Sequence, residues 1–211
     1  MKKDTNKKII IGFSIGDYNG IGPEILLKSF SDSKLLQNFI PVVFCDKHIL
    51  EYYSKRYGHE FKIKETNNLD SIADENSIYT FPISNTEIEI LPGEIKKESG
   101  NYAVKSLEEC TNAQINKKID GIVTLPISKI NSQSTKFPFP GHTEYFLEKF
   151  NIDDNMMIMH SEMMTIGFMT GHIPLDSIKS VLDKKKIIKK LKIFVDTIEK
   201  DFNKKNPKIA V

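Results

Sequence analysis

Tryptophan is absent from this 211-residue chain and cysteine is scarce, with two residues, Cys45 and Cys110. They lie far apart and lack metal-ligand spacing, which excludes a disulfide scaffold and a cysteine-based zinc module. Two reduced thiols of a cytoplasmic protein are the expectation. An excess of one charge is also missing: 30 Lys+Arg stand against 28 Asp+Glu, a net +2. That is too even for an electrostatic nucleic-acid binder. No apolar run approaches the ~20 residues needed to cross a bilayer, so no membrane partner is expected. The start from Met1 to Lys8 is basic, but Gly12, Gly16 and Asp17 soon break the apolar stretch behind it. This makes a poor secretion signal and a good first strand. There is no internal repeat and no low-complexity linker.

What is present is an alternation of strand-length apolar runs with helix-period stretches, the pattern of an α/β domain. Ile9 to Ile15 and Ile40 to Cys45 read as buried strands, and Gly121 to Leu125 as a third. Pro23 and Glu24 suit a helix start. Helices are further predicted around His48 to Tyr57, from about Gly100 to Asn116, and over a segment holding Tyr145, Phe146 and Phe150. Residues 61–93 carry short β-like pieces, 78–81 and 87–90, between polar loops, and read as an excursion from the main sheet. Met156–Met159 and Met163–Met169 read as hairpin strands; a methionine box gripping a cofactor is the alternative, but Met commonly fills gaps in cores. Asp183 can cap a last helix whose stripe is Ile187, Leu191, Phe194, Val195, Ile198 and Phe202. Its lysines read as a solvated face. Lys208–Val211 reads as a final strand.

Three segments near the carboxyl ends of predicted strands could carry chemistry, the usual place for ligands in open α/β sheets. Gly16–Glu24 has glycines that suit either a binding loop or an ordinary tight turn, and its spacing is not Gly-x-Gly-x-x-Gly. Phe139–Glu144 gathers His142, Thr143 and open backbone donors at a helix start, fit for a phosphate or carboxylate. A Thr143 cap beside an exposed His142 is the simpler reading. Gly171 and Ile173-Pro174 would hold His172 rigidly, yet one imidazole is only one metal ligand. His48, His59 and His160 read as structural or exposed. Lys129 follows a strand and could meet an anionic substrate, or be a plain surface lysine.

Taken in order, these segments resemble the 4-hydroxythreonine-4-phosphate dehydrogenase (PdxA) family. Its Gly-Asp-Pro-x-Gly-Ile-Gly-Pro-Glu motif is matched by Gly16 to Glu24 with Tyr18 for the proline, and its Thr-x-Pro-[Ile/Val]-x-Lys by Thr124 to Lys129. Thr-Gly-His-Thr-Glu is matched by Pro140 to Glu144 with Pro140 for the threonine, and Thr-Thr-His-[Leu/Ile/Val]-Pro-Leu by Thr170 to Leu175. The resemblance implies a three-layer α/β/α fold like the isocitrate and isopropylmalate dehydrogenases, which bind NAD without a Rossmann fingerprint. It implies a homodimer that oxidises a small phosphorylated hydroxy-amino acid with NAD, followed by loss of CO2. A divalent metal (Zn, Mg or Mn) would stabilise the developing oxyanion. On this resemblance His172 is a metal ligand, His142 and Thr143 bind substrate, and Asp17 and Lys129 are catalytic, with Asn19 as a neighbour.

The family continues with Leu-Asn-Pro-His-Ala-Gly-Glu after the strand matched by Lys208–Val211, and two more metal histidines lie there. Residues 1–211 are therefore expected to be one dehydrogenase region, incomplete at the C-terminus, with little or no activity by itself. The alternatives are a paralogue acting on another phosphorylated hydroxy acid and a non-catalytic ligand-binding remnant.

Overall fold

β1 (Ile9–Ser14) is the strand around which the first part of the chain is built. It pairs in parallel with β2 (Phe39–Phe44) on one side, Ile10 opposite Ile40 and Ser14 opposite Phe44. On its other side runs β5 (Gly121–Thr124), Ile11 opposite Gly121. β4 (Ile78–Thr80) and β3 (Ile63–Glu65) extend the sheet, giving the order β3-β4-β2-β1-β5, parallel throughout. The computed structural model describes residues 8–31, 34–72, 76–84, 88–134 and 137–211. These divide into two compact units, Met1–Tyr145 and Phe146–Val211.

The expected excursion at 61–93 is corrected here. Two of its pieces are strands of the main sheet, and each is only three residues long, too short to alternate visibly in the sequence. Of the other expected piece, Glu87 lies outside the described residues and Ile88–Ile90 forms no strand.

Successive residues of a strand face opposite sides of the sheet, and β1 shows what covers each side. Phe13 meets Phe30 edge-on, with ring centroids 5.3 Å apart. Phe30 ends α1 (Gly22–Phe30), which starts with Pro23 and buries Leu26 and Leu27. α1 packs beside α3 (Lys47–Tyr57), and the short α2 (Leu35–Asn38) lies against β2. Gly12 faces the other way: a Cβ there would come within 2.9 Å of Cys110 Sγ on α4 (Lys97–Ile115). The three layers α/β/α follow. Cys45 and Cys110 are free thiols, both buried. α4 is also tied by polar groups. Ser106 Oγ accepts from Ile15 N–H at 2.9 Å and donates to the Phe44 carbonyl at 2.6 Å. The Tyr102 hydroxyl donates to Asp46 Oδ2 at 2.7 Å and accepts from the Asp46 N–H at 2.8 Å. Two further helices complete this part of the chain, the one-turn α5 (Lys129–Ser132) and α6 (His142–Lys149), within which the division between units falls.

In Phe146–Val211 the two Met-rich runs form the expected antiparallel hairpin, β6 (Ile158–His160) and β7 (Thr165–Gly167). Met156 fills a gap, its methyl lying where a Cβ on Gly167 would be, next to Phe194. After the one-turn α7 (Ile178–Val181) comes α8 (Lys184–Lys200), capped by Asp183, whose Oδ1 accepts from Lys186 N–H at 2.6 Å. Phe194 and Ile198 of the stripe are buried. Lys190 departs from the solvated face read for its lysines: it is 7% exposed, its ammonium 2.6 Å from Asp154 Oδ1 and also donating to the Asn155 carbonyl. The strand expected at Lys208–Val211 is not formed, because no neighbour among the described residues pairs with its backbone; Val211 is 89% exposed.

The Lys190–Asp154 pair makes stability pH-dependent. Burial pushes the Asp154 carboxyl up, but the Lys190 hydrogen bond and charge, with the Asn155 N–H, hold it below its ordinary range. A carboxylate depressed in the folded state contributes stability above its unfolded value of ~3.9, and this is lost as pH falls through the folded value. Lys190→Met is expected to cost about 1–2 kcal/mol at neutral pH, the lower end for a pair still partly wet. Urea unfolding should show the gap from wild type closing below about pH 3; an equal loss at both pH values would locate the cost in packing instead.

Candidate functional site

The carboxyl ends of β1 and β5 lie side by side, and the loops that leave them are joined by backbone. Leu125 N–H donates to the Ser14 carbonyl at 3.1 Å, and Asp17 N–H to the Pro126 carbonyl at 3.0 Å. Gly16 makes this approach possible. Its φ is +69°, and a Cβ there would lie 2.3 Å from the Pro126 oxygen, so no other residue fits. Gly22 packs similarly, a Cβ falling 2.9 Å from the Ile15 oxygen. Gly16 and Gly22 pack against the chain's own backbone. Gly20 N–H donates to the Asp17 carbonyl at 2.9 Å, closing a tight turn.

Asp17 and Asn19 hold the turn in place. Asp17 is 5% exposed; its Oδ1 accepts from Asn19 N–H at 2.9 Å and its Oδ2 from Asn131 Nδ2 at 2.8 Å. Asn19, 2% exposed, accepts from Leu91 N–H at 2.8 Å and donates to the Glu94 carbonyl at 3.3 Å. Its own carbonyl takes the Gly93 N–H at 2.7 Å. Asp17, expected among the catalytic groups, accepts one hydrogen bond at each carboxylate oxygen from donors of the chain. Tyr18, where the family motif has proline, is buried edge-on against Tyr102 at 5.2 Å, and its carbonyl accepts from the Tyr53 hydroxyl at 2.6 Å.

Lys129 opens α5 directly after this junction. It is exposed and makes no ion pair among the described residues, so its charge faces solvent beside the joined loops. His142 and Thr143 open α6, and no hydrogen bond joins them to Asp17 or Lys129 among the described residues. An aromatic cluster missed in the sequence fixes the start of α6: Tyr145 is buried with Phe137 and Phe139, each centroid 5.5 Å from its own. The Phe-Pro-Phe-Pro spacing before Gly141 was the available signal. Thr143 is exposed. The His142 ring is half-buried, and its Nε2 is shut off from water with no hydrogen-bond partner among the described residues. Such an orphaned ring nitrogen fits a polar ligand group.

His172 belongs to Phe146–Val211, in the turn after β7, where Ile173 N–H donates to the Gly171 carbonyl at 2.9 Å. It is exposed. Among the described residues no three His, Cys, Asp or Glu side chains converge to hold a metal ion. The donor set at His172 therefore does not fit a divalent cation by itself. No helix among the described residues is long and apolar enough to cross a membrane.

Burial lowers the His142 pKa from its ordinary value near 6.5, so the ring is neutral at pH 7. A folded imidazole that resists protonation contributes stability above the unfolded value, and this is lost as pH falls below it. Proton NMR of the ring is expected to show its titration midpoint below that of free imidazole side chains, and His142→Gln to lessen the loss of stability toward pH 5. A midpoint at or above the free value would mean that Nε2 is accessible to water.

Residues 37–211 match the sequence model of the family described as pyridoxal phosphate biosynthetic protein PdxA. The 4-hydroxythreonine-4-phosphate dehydrogenase of Bacteroides thetaiotaomicron is 33% identical over 205 residues, covering 97% of this chain and 56% of that protein. The enzyme of the same name from Sulfurihydrogenibium is 31% identical, covering 95% and 61%. The chain thus spans little more than half the length of these relatives. The solved 4-hydroxythreonine-4-phosphate dehydrogenase of Burkholderia phymatum shares the fold with a TM-score of 0.83 at 21% identity, over 92% of this chain and 59% of that one. A terephthalate 1,2-cis-dihydrodiol dehydrogenase of Burkholderia xenovorans shares it at 0.64 and 17% identity, over 92% and 58%. By the family match and these relatives, the chain belongs to the PdxA family.

Proposed function

We propose that this protein serves the NAD-dependent oxidation, with decarboxylation, of 4-hydroxy-L-threonine 4-phosphate (4-phosphooxy-L-threonine) in pyridoxal phosphate biosynthesis. The carrying observation is the relatives of that name, 33% and 31% identical over nearly the whole of this chain. The segments that resemble the family's motifs follow strand ends or open a helix, which supports the reading. In this reading Lys129 offers its ammonium to an anionic group of the substrate, where a unit charge at a surface site is worth a few kcal/mol at most. His142 receives a polar substrate group at its orphaned Nε2, and Thr143 adds a hydroxyl from the same helix turn. Asp17 acts by holding the loop after β1 in shape. His172 supplies one ligand to a divalent metal (Zn, Mg or Mn) whose remaining donors are not among the described residues. A cytoplasmic homodimer acting on a small molecule, with no nucleic-acid or membrane partner, completes the proposal.

A second reading has one observation in its favour. The dihydrodiol dehydrogenase with this fold is named for a different substrate, so the fold leaves room for a paralogue that oxidises another phosphorylated hydroxy acid. Calorimetry on the 211-residue protein separates the two. The threonine ester is expected to bind, and His142→Ala or Lys129→Ala to weaken it by about tenfold, or ~1.4 kcal/mol. Unchanged affinity in both variants would remove these residues from the site, and tighter binding of another phosphorylated hydroxy acid would favour the paralogue. With NAD and each metal, NADH formation by this chain is expected to be slow or absent. Robust turnover lost on His172→Ala would show that the chain completes its own metal site.

A further inference from the structure

α5 is a single helical turn of four residues, and one turn does not hold itself together in water, because nucleation costs more than its hydrogen bond returns. Yet α5 carries Lys129, whose position matters if it meets substrate. What holds the turn is Asn131, 8% exposed. Its side-chain Nδ2 lies 2.8 Å from Asp17 Oδ2, 2.9 Å from the Lys96 carbonyl and 3.2 Å from Ser99 Oγ. The Ser99 hydroxyl spends its proton on the Lys96 carbonyl at 3.0 Å. All three neighbours therefore turn lone pairs toward the amide.

That arrangement fixes the amide's orientation, since an oxygen placed among three acceptors would be repelled. Asn131 Oδ1 has no hydrogen-bond partner among the described residues, a cost accepted on the opposite edge. Gly100 closes the packing: a Cβ there would lie 2.1 Å from the Asn131 carbonyl oxygen, so only glycine lets α4 approach so closely. The surroundings select a neutral donor. A carboxylate in the same place would face the Asp17 carboxylate. The nearest cations do not compensate, because the Lys96 ammonium pairs with Glu94 at 2.8 Å and Lys129 is exposed.

We propose that Asn131 is a positioning residue, whose amide clamps the loop after β1 to the one-turn helix carrying Lys129 and so keeps that ammonium in place beside the strand ends. The proposal rests on the reading of Lys129 as a substrate contact. It also explains why Asp17 is buried without being a free acid or base: its carboxylate is the acceptor the clamp needs.

The test is Asn131→Asp, nearly isosteric and able to donate only when protonated. At about pH 8 this variant is expected to bind 4-hydroxy-L-threonine 4-phosphate about tenfold more weakly than wild type at the same pH, recovering to within about twofold near pH 5.5. A packing role alone would give a ratio independent of pH. Hydrogen–deuterium exchange of 15–21 and 126–134 provides the second arm, with exchange faster than wild type at about pH 8 and close to it near pH 5.5. If wild type binds no ester, the substrate reading fails and the exchange arm alone judges the clamp. Exchange that shows the pH contrast while ester affinity stays at the wild-type value would overturn the positioning role, as would exchange with no pH contrast. Should Asn131→Asp fail to fold at the higher pH, Gly100→Ala takes its place. It pushes α4 off α5 with the amide intact and is expected to loosen 126–134 and weaken ester binding at both pH values. Wild-type behaviour in that variant would overturn the proposal.

Discussion

The Ser106 hydroxyl is a small group on which much of the first unit depends. It sits at the carboxyl ends of the two central strands, taking the Ile15 N–H and giving its proton to the Phe44 carbonyl. Both backbone groups lie where the ladder between β1 and β2 runs out, and buried groups of this kind cost about 1–3 kcal/mol each when left unpaired. One side chain from α4 satisfies both. It can do so only because Gly12 lets the helix lie against β1, where any Cβ would press on Ile119 and Cys110. The height of α4 over the sheet is thereby set, and with it the reach of Tyr102 to Asp46 and of Ser99 to Asn131. The candidate site thus hangs from a helix whose depth is set by one glycine and one hydroxyl.

The sequence revealed the long elements well. β1, α1, α4 and α8 carry either unbroken apolar runs or a clear helical stripe, and their caps or first turns hold recognisable residues. β3 and β4 escaped because three residues cannot display a period, and they are strands only through their neighbours. The strand order β3-β4-β2-β1-β5 was likewise hidden, since nothing local tells a strand which partner lies beside it. Lys190 was misread for a related reason: the stripe predicts which face is apolar, but Asp154, which draws this ammonium inward, is 36 positions away.

For the site, position was more legible than role. Asp17, Lys129, His142, Thr143 and His172 stood out through their motifs and their places after predicted strands. The structure joins the first two into one junction and leaves His172 in the other unit. That Asp17 faces amides of its own chain could not be read from a Gly-Asp-Tyr-Asn-Gly string, in which a carboxylate is equally free to point outward to a ligand. Asn131 had no signal at all, being one polar residue among several over 128–134. Its meaning lies in three acceptors contributed by separate parts of the chain. Family membership brings a name for the chemistry of the relatives, but the contacts that order this junction come from the chain's own packing, including Tyr18 in the place of the motif's proline.

The two free thiols acquire a use from where they sit. Cys45 follows β2 and Cys110 rides on α4, the two elements that Ser106 stitches together, and both are wholly buried. Burial raises the pKa of each, and a thiol reacts only as the thiolate. Neither can meet a reagent from solution until helix and sheet part. With no other cysteine in the chain, alkylation becomes a stopwatch for breathing of this core, one that needs no added probe. The scarcity of cysteine gives the molecule a built-in gauge of how often its central layer comes apart.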